Sequence, residues 1–150
     1  MSATSAKLPG RALRLVPVEP GIGPAAGLDV DLSAAGVVEG DAALGQALML
    51  AMVTLRGSDV FAQGFGFAGL AALAAETDPV LRRERLRLAV IDVLRAEPRI
   101  RRILSVRFPG EDAPPRAMPG NRLLVVEAEF ETVAGTRQVG LLQGEVADVR

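Results

Sequence analysis

Residues 78–108 read DPVLRRERLRLAVIDVLRAEPRIRRILSVRF, and the spacing of their apolar residues changes once, at the second proline. Asp78 followed by Pro79 is a helix-start signal. The carboxylate accepts from the first unpaired amides, and proline at the first helical position lacks only an amide the helix could not have used. Leu86, Val90 and Leu94 then recur at i, i+4 and i+8, a buried stripe flanked by Leu88 and Val93. The residue before a proline is disfavoured in the α region, so the helix ends near Glu97, ahead of Pro98. Beyond that point the period is two, and 103–108 reads as a strand.

The alternation continues downstream. In RLLVVEAEFETV (122–133), Val126, Ala128 and Phe130 alternate with Glu127, Glu129 and Glu131, the pattern of a strand with one buried face. Ala134-Gly135 predicts a tight two-residue turn into a third strand over 137–142. That turn would set Phe130 opposite Val139 and Ala128 opposite Leu141. Between these strands, 109–120 holds four prolines and reads as an exposed connection.

Upstream, a first helix is expected from Asp41, as N-cap after Gly40, to a stop at Gly57. Leu44, Leu48, Met52 and Leu55 form one stripe, while Met49, Leu50 and Val53 make the other side apolar too. A helix apolar nearly all round is covered on more than one side, and in a chain this small the second cover is expected to be another subunit. Gly64-Phe65-Gly66-Phe67 predicts a close backbone approach with two anchoring rings. It lacks the spacing and the Lys-Ser/Thr of a phosphate loop. Residues 67–75 suggest a short helix. Pro9, Pro17, Pro20 and Pro24 punctuate 1–36, which reads as an extended arm with at most one short strand near 12–18, ordered by a neighbour through Val16, Val18 and Ile22. The expected class is α+β: two main helices, then a three-stranded antiparallel sheet, in a single domain over 37–150 preceded by the arm.

Composition narrows the chemistry. The 150 residues are 49% apolar, drawn from Ala, Leu and Val, with five Phe and no Trp, Tyr, Cys or His. Thiol nucleophiles, Ser-His triads, imidazole or thiolate metal sites and disulfides are excluded, so no catalytic, metal or cofactor residue is assigned. Net charge is −1, yet residues 82–107 hold nine arginines against Glu84, Asp92 and Glu97, a local excess of +6. A basic middle with acidic flanks suits nucleic acid or an acidic protein partner, although the stretch lacks the interleaved aromatics of single-strand binders. No leader or membrane span is read. The apolar run at 47–53 is too short to cross a bilayer, which places the chain in the cytoplasm until it joins a larger body.

Three segments carry a resemblance: LMLAMVTLRG (48–57), VFAQGFGFAGLAAL (60–73) and LRAEPRIRRILSVRF (94–108). Their order and spacing over 37–142 resemble the baseplate wedge family of T-even phages and of phage-tail-like and type VI systems, often labelled lysozyme-like. Glu97-Pro98-Arg99 matches the family's Glu-Pro-Arg signature, followed by Ile100 and a strand. At the first helix end, Leu55 is displaced by one from the family's Leu-Thr-x-x-Gly-Glu pattern, and Ser58 stands for its Glu. The resemblance implies a sheath initiator on the baseplate of a contractile, phage tail-like particle. It implies strand addition to the sheath protein at Gln138, Val139, Gly140, Leu141 and Leu142, docking of Glu97, Pro98 and Arg99 on the baseplate wedge proteins, and contacts with inner tube or hub proteins.

Two other functions compete. A muramidase, suggested by the family label, would need a pair of carboxyls such as Glu97 with Asp92 or Glu76. It would also need one of them raised in pKa, whereas Glu97 lies among arginines that depress it. An arginine-rich module would bind nucleic acid or an acidic partner in a steeply salt-dependent way. Without the resemblance, Glu97 and Arg99 read as a local surface pair worth under ~1 kcal/mol.

Overall fold

The computed structural model describes residues 10–17, 28–33, 36–69, 71, 75–109, 122–135 and 137–146. Over these residues the architecture is α+β, with two long helices and small antiparallel sheets. In chain order it runs β1 (Arg11–Leu13), β2 (Leu15–Pro17), β3 (Leu28–Val30), β4 (Val37–Glu39), α1 (Gly40–Val53), α2 (Pro79–Ala96), β5 (Ile100–Arg107), β6 (Arg122–Thr132) and β7 (Arg137–Val146). β1 pairs with β4 and β2 with β3 as two-stranded ribbons, while β5, β6 and β7 are hydrogen-bonded in that order.

α2 starts as its sequence dictates. The Asp78 carboxylate accepts from the amides of Val80 (2.7 Å) and Leu81 (3.1 Å), and Pro79 opens the helix. Leu86, Val90 and Leu94 are buried with Ala89 and Val93, but Leu88 is 61% exposed, on the far side of the helix from that stripe. They meet Leu44, Leu48 and Ala51 of α1, the Phe67 ring, and Val126, Ala128 and Phe130 from the inner face of β6. Full burial of each such Leu, Val or Phe contributes ~1.5–3 kcal/mol.

The N-terminal region differs most from expectation. The described part of 1–36 holds three short strands where at most one was expected, because β1 pairs with β4 and β2 with β3. Arg14 donates its amide to Gly36 (2.6 Å) and accepts from Asp31 (2.8 Å), linking the two ribbons. Pro17 sits at the last position of β2, where a missing donor costs the ladder little. Val18 and Ile22 lie outside the described residues, as do Pro9, Pro20, Pro24 and most of the 109–120 connection.

α1 is shorter at its C-terminal end, and its N-cap lies two residues earlier than predicted. Glu39 occupies the cap position without a side-chain bond, and Gly40 turns the chain with φ +58° while donating to Gly10 (3.2 Å). Asp41 therefore lies in the first turn, where its charge complements the helix dipole. The helix stops at Val53 because Thr54 and Arg56 turn to bond Phe67 across an isolated bridge. The Phe67 amide donates to Thr54 (2.8 Å), and the Arg56 amide donates to Phe67 (3.2 Å). Gly57, with φ +83°, serves a separate turn closed by Ser58 on Leu55 (3.0 Å). Of the predicted helix after Phe67, Gly69, Ala71 and Ala75 are helical, and the residues between them lie outside the description.

The β6–β7 register corrects the two-residue turn. Phe130 pairs with Gln138 and Ala128 with Gly140, one residue away from the expected pairs. Gly135, at φ +79°, follows a turn in which its amide donates to Thr132 (2.9 Å). A turn followed by a left-handed glycine is the longer hairpin loop, and the extra residue shifts every cross-strand pair by one.

Candidate docking corner and open sheet edge

Glu97, Pro98 and Arg99 link the end of α2 to the start of β5. The Ile100 amide donates to the Glu97 carbonyl (3.0 Å), so the three residues and Ile100 form one turn, with Pro98 at the position its fixed φ favours. Inside it, the Arg99 guanidinium closes a two-pronged fork on Glu97: Nε donates to Oε1 at 2.6 Å and Nη2 to Oε2 at 2.9 Å. The Arg99 amide adds a third bond to Oε1 at 3.1 Å.

The fork is not a surface pair. Its side chains are 18% and 13% exposed, because other elements close over them. Gly10, ahead of β1, lies against the guanidinium, and the Val133 amide of the β6–β7 loop donates to the Arg99 carbonyl (2.9 Å). The turn thus ties together the helix end, the N-terminal ribbon and the C-terminal hairpin, and only Pro98 faces solvent. Burial pushes the Glu97 carboxyl up, but the hydrogen bonds and charge of Arg99 outweigh it and hold the group below its ordinary value. Arg99 is raised in turn, by its hydrogen bond to Glu97.

The carboxylates weighed for glycoside chemistry separate on this frame. Glu76 precedes α2 and Glu97 follows it. The 18 residues of α2 that separate them span roughly 27 Å at 1.5 Å per residue. Glu76 is occupied elsewhere, with its carboxylate on Arg85 (3.3 Å) and its carbonyl accepting two bonds from Arg82. Asp92 is exposed on α2, near Glu97, but Glu97 is held ionised, the reverse of what a general acid requires.

Many of the arginines point into the protein's own acidic groups. Arg87 bonds Glu84 and the Val106 carbonyl and lies over the Phe108 ring, 5.4 Å from its centroid. On the sheet, the Arg101 guanidinium lies 3.8 Å from the Glu131 carboxylate of β6, and Arg107 pairs in register with Glu127. The basic stretch is therefore folded against the acidic strand that follows it.

Gln138, Val139, Gly140, Leu141 and Leu142 all lie in β7, which pairs with β6 over ten consecutive positions, Arg122↔Val146 to Glu131↔Arg137. Among the described strands β6 is its one neighbour, so no described strand pairs with the far edge of this ten-residue strand. Between Arg137 and Glu145 that edge carries no charged residue, the kind of edge that monomeric sheet proteins protect.

Among the described residues no group of acidic side chains is placed to hold a metal, and no helix is long and apolar enough to cross a membrane. Sequence reasoning missed the role of Gly10 against Arg99 and of Gln46. The Gln46 amide donates to the Leu13 carbonyl (2.6 Å) and accepts from the Leu15 amide (2.7 Å), pinning the N-terminal ribbon on α1. Neither residue carries a signal in a single sequence. Comparison with protein-family models, with curated proteins and with solved structures gave no match to this chain.

Proposed function

We propose that this chain is a structural baseplate subunit of a contractile tail or injection machine, one that nucleates the sheath by strand addition. The observation that carries the reading is the far edge of β7, a ten-residue strand that no further described strand pairs with and that has no charged residue between Arg137 and Glu145. A sheet edge of this kind accepts an extended segment through main-chain hydrogen bonds, with side-chain pockets giving specificity. In this reading the sheath protein supplies that segment, at Gln138, Val139, Gly140, Leu141 and Leu142. The wedge proteins receive the Glu97-Pro98-Arg99 corner, with exposed Pro98 leading and the ion pair fixing it from behind. The unit offered is two helices on a three-stranded sheet with an N-terminal arm. It is held in the cytoplasm until assembly, after which it sits in the baseplate of a phage tail-like particle beside inner tube or hub proteins.

The alternative, an arginine-rich surface for nucleic acid or an acidic partner, has less support. Arg82, Arg85, Arg87 and Arg99 are engaged within the chain.

Successive amides of an antiparallel strand point in opposite directions, so a proline scan across 138–142 separates folding from edge pairing. At one parity proline breaks the β6 ladder. At the other it removes only an outward donor. The outward variants are expected to fold with near-normal melting yet to give particles whose tubes lack sheath in electron micrographs. Normally sheathed particles from every outward variant would refute strand addition here.

A further inference from the structure

Residues 55–67 leave the end of α1 and return to it, closing on the parallel bridge between Leu55 and Phe67. The excursion is tied at several points. The amides of Phe61 and Ala62 donate to Asp59 Oδ1 (2.8 and 3.2 Å), Ser58 donates to Leu55, and Phe65 to Ala62 (2.8 Å). A Cβ on Gly66, at φ +106°, would lie 2.6 Å from the Thr54 carbonyl oxygen, so the return path admits no side chain there. Compact loops with joined ends are a common place for function. At the tip of this one Phe61 is 100% exposed, beside exposed Val60. A ring shown on a backbone with this many ties loses little freedom on binding.

Next to the loop, α1 and α2 part to leave a cleft of about 300 Å³. Leu48, Ala51, Val93 and Ala96 supply its apolar lining, the Phe65 ring forms a wall, and Arg56, Asp92 and Glu97 are its charged groups. Arg56 makes no ion pair among the described residues.

We propose that Phe61 of one copy enters the α1–α2 cleft of a second copy, so that the chain associates with itself through a ring-in-cleft contact. The cleft supplies what a phenyl ring binds: aliphatic walls, an aromatic partner in Phe65 and a guanidinium able to lie over its face. Of the charged groups in the lining, Glu97 is held by Arg99 and Asp92 faces solvent on α2, so Asp59 beside the incoming ring takes Arg56 of the receiving copy as its partner. Ring and cleft share one end of the molecule, Phe65 lying four residues from Phe61, so each surface carries both halves of the contact, as self-complementary interfaces do. A lipid surface fits less well, because two apolar tip residues flanked by one Arg and one Asp lack the basic belt that membrane-binding segments carry. The proposal does not rest on the baseplate reading, and strand pairing at β7 would survive the variants below.

Sedimentation of the full chain over a range of concentrations tests it, with Phe61→Ala removing the ring and Ala96→Phe filling the cleft. Both positions are exposed, and circular dichroism melts check that both variants fold. The wild type is expected to associate in a concentration-dependent way. Each variant alone should bind itself at least about tenfold more weakly, the effect of losing one buried ring. An equimolar mixture should regain association, because one variant keeps the cleft and the other keeps the ring. A wild type that stays monomeric at every concentration, a Phe61→Ala chain that associates like wild type, or a mixture no stronger than its components would overturn the proposal.

Discussion

A Cβ on Gly10 would lie 2.8 Å from Nη1 of Arg99, closer than such atoms approach, so the N-terminal ribbon seats on the Glu97–Arg99 fork through the one residue that leaves room for it. The guanidinium cannot swing aside without giving up Glu97. Gly10 also holds φ +129°, a backbone region that side chains disfavour.

Gly10→Val is therefore expected to unseat β1. The cost should be about 1–3 kcal/mol from backbone strain, read as a lowered melting temperature. Hydrogen exchange should quicken at Arg14 and Gly40, whose amides pair within this region. Unchanged exchange at both amides would show that the ribbon does not depend on this contact.

Arg99→Ala leaves a largely buried carboxylate without its fork, which is expected to destabilise the chain by about 1–3 kcal/mol. Pro98→Ala keeps the fork and loses only the rigidity of an exposed turn residue, about 0.4–1 kcal/mol. If the corner docks on a wedge protein, Pro98→Asp should fold yet fail to enter baseplates. Full incorporation of that variant would leave the corner a strut alone.

The fork also sets an acid response. The Glu97 pKa in the fold lies below its ordinary 4.5, so its contribution is complete above that value and is lost as pH falls through the lower, folded one. Glu97→Gln should flatten this part of the stability profile between pH 5 and strongly acid solution. A profile as steep as wild type would assign the acid loss to other carboxylates.

Gly66→Ala tests the clamp at the end of α1. A methyl group there would sit 2.6 Å from the Thr54 carbonyl oxygen and 2.9 Å from the Arg56 nitrogen, both backbone atoms that cannot yield cheaply. Phe67, 2% exposed, would be drawn out of the core. A loss of roughly 3 kcal/mol or more is expected by urea titration, comparable to Phe67→Ala. A loss under about 1 kcal/mol would mean the loop shifts freely around the added methyl group.

Local signals read well wherever one residue type does one physical job. Asp78-Pro79 marked the start of α2, Pro98 its end, and the alternation of Val126, Ala128 and Phe130 with three glutamates the inner and outer faces of β6. What stayed hidden depended on partners distant in sequence. α1 stops at Val53 because Thr54 and Arg56 pair with Phe67, and nothing near Gly57 announces it. The pairing of residues 11–17 with 28–39 was obscured by prolines that fall at strand ends or beyond the described residues. The charge imbalance of 82–107 looked like an open surface because two of its counter-charges, Glu76 on Arg85 and Glu131 on Arg101, lie outside that stretch. At the corner, sequence supplied the three residues but not their burial, which comes from Gly10 and Val133, at opposite ends of the chain.

Gln46 grips Leu13 and Leu15 only through their main-chain oxygen and nitrogen. Every amino acid but proline offers that pair of atoms, so the grip recognises a position along the chain and is blind to what stands there. Side chains at 13 and 15 are thus released to vary for other ends, while position 46 tolerates little beyond an amide of that length. A foreign peptide of the same span, joined in place of 11–17, would be held by the same two bonds.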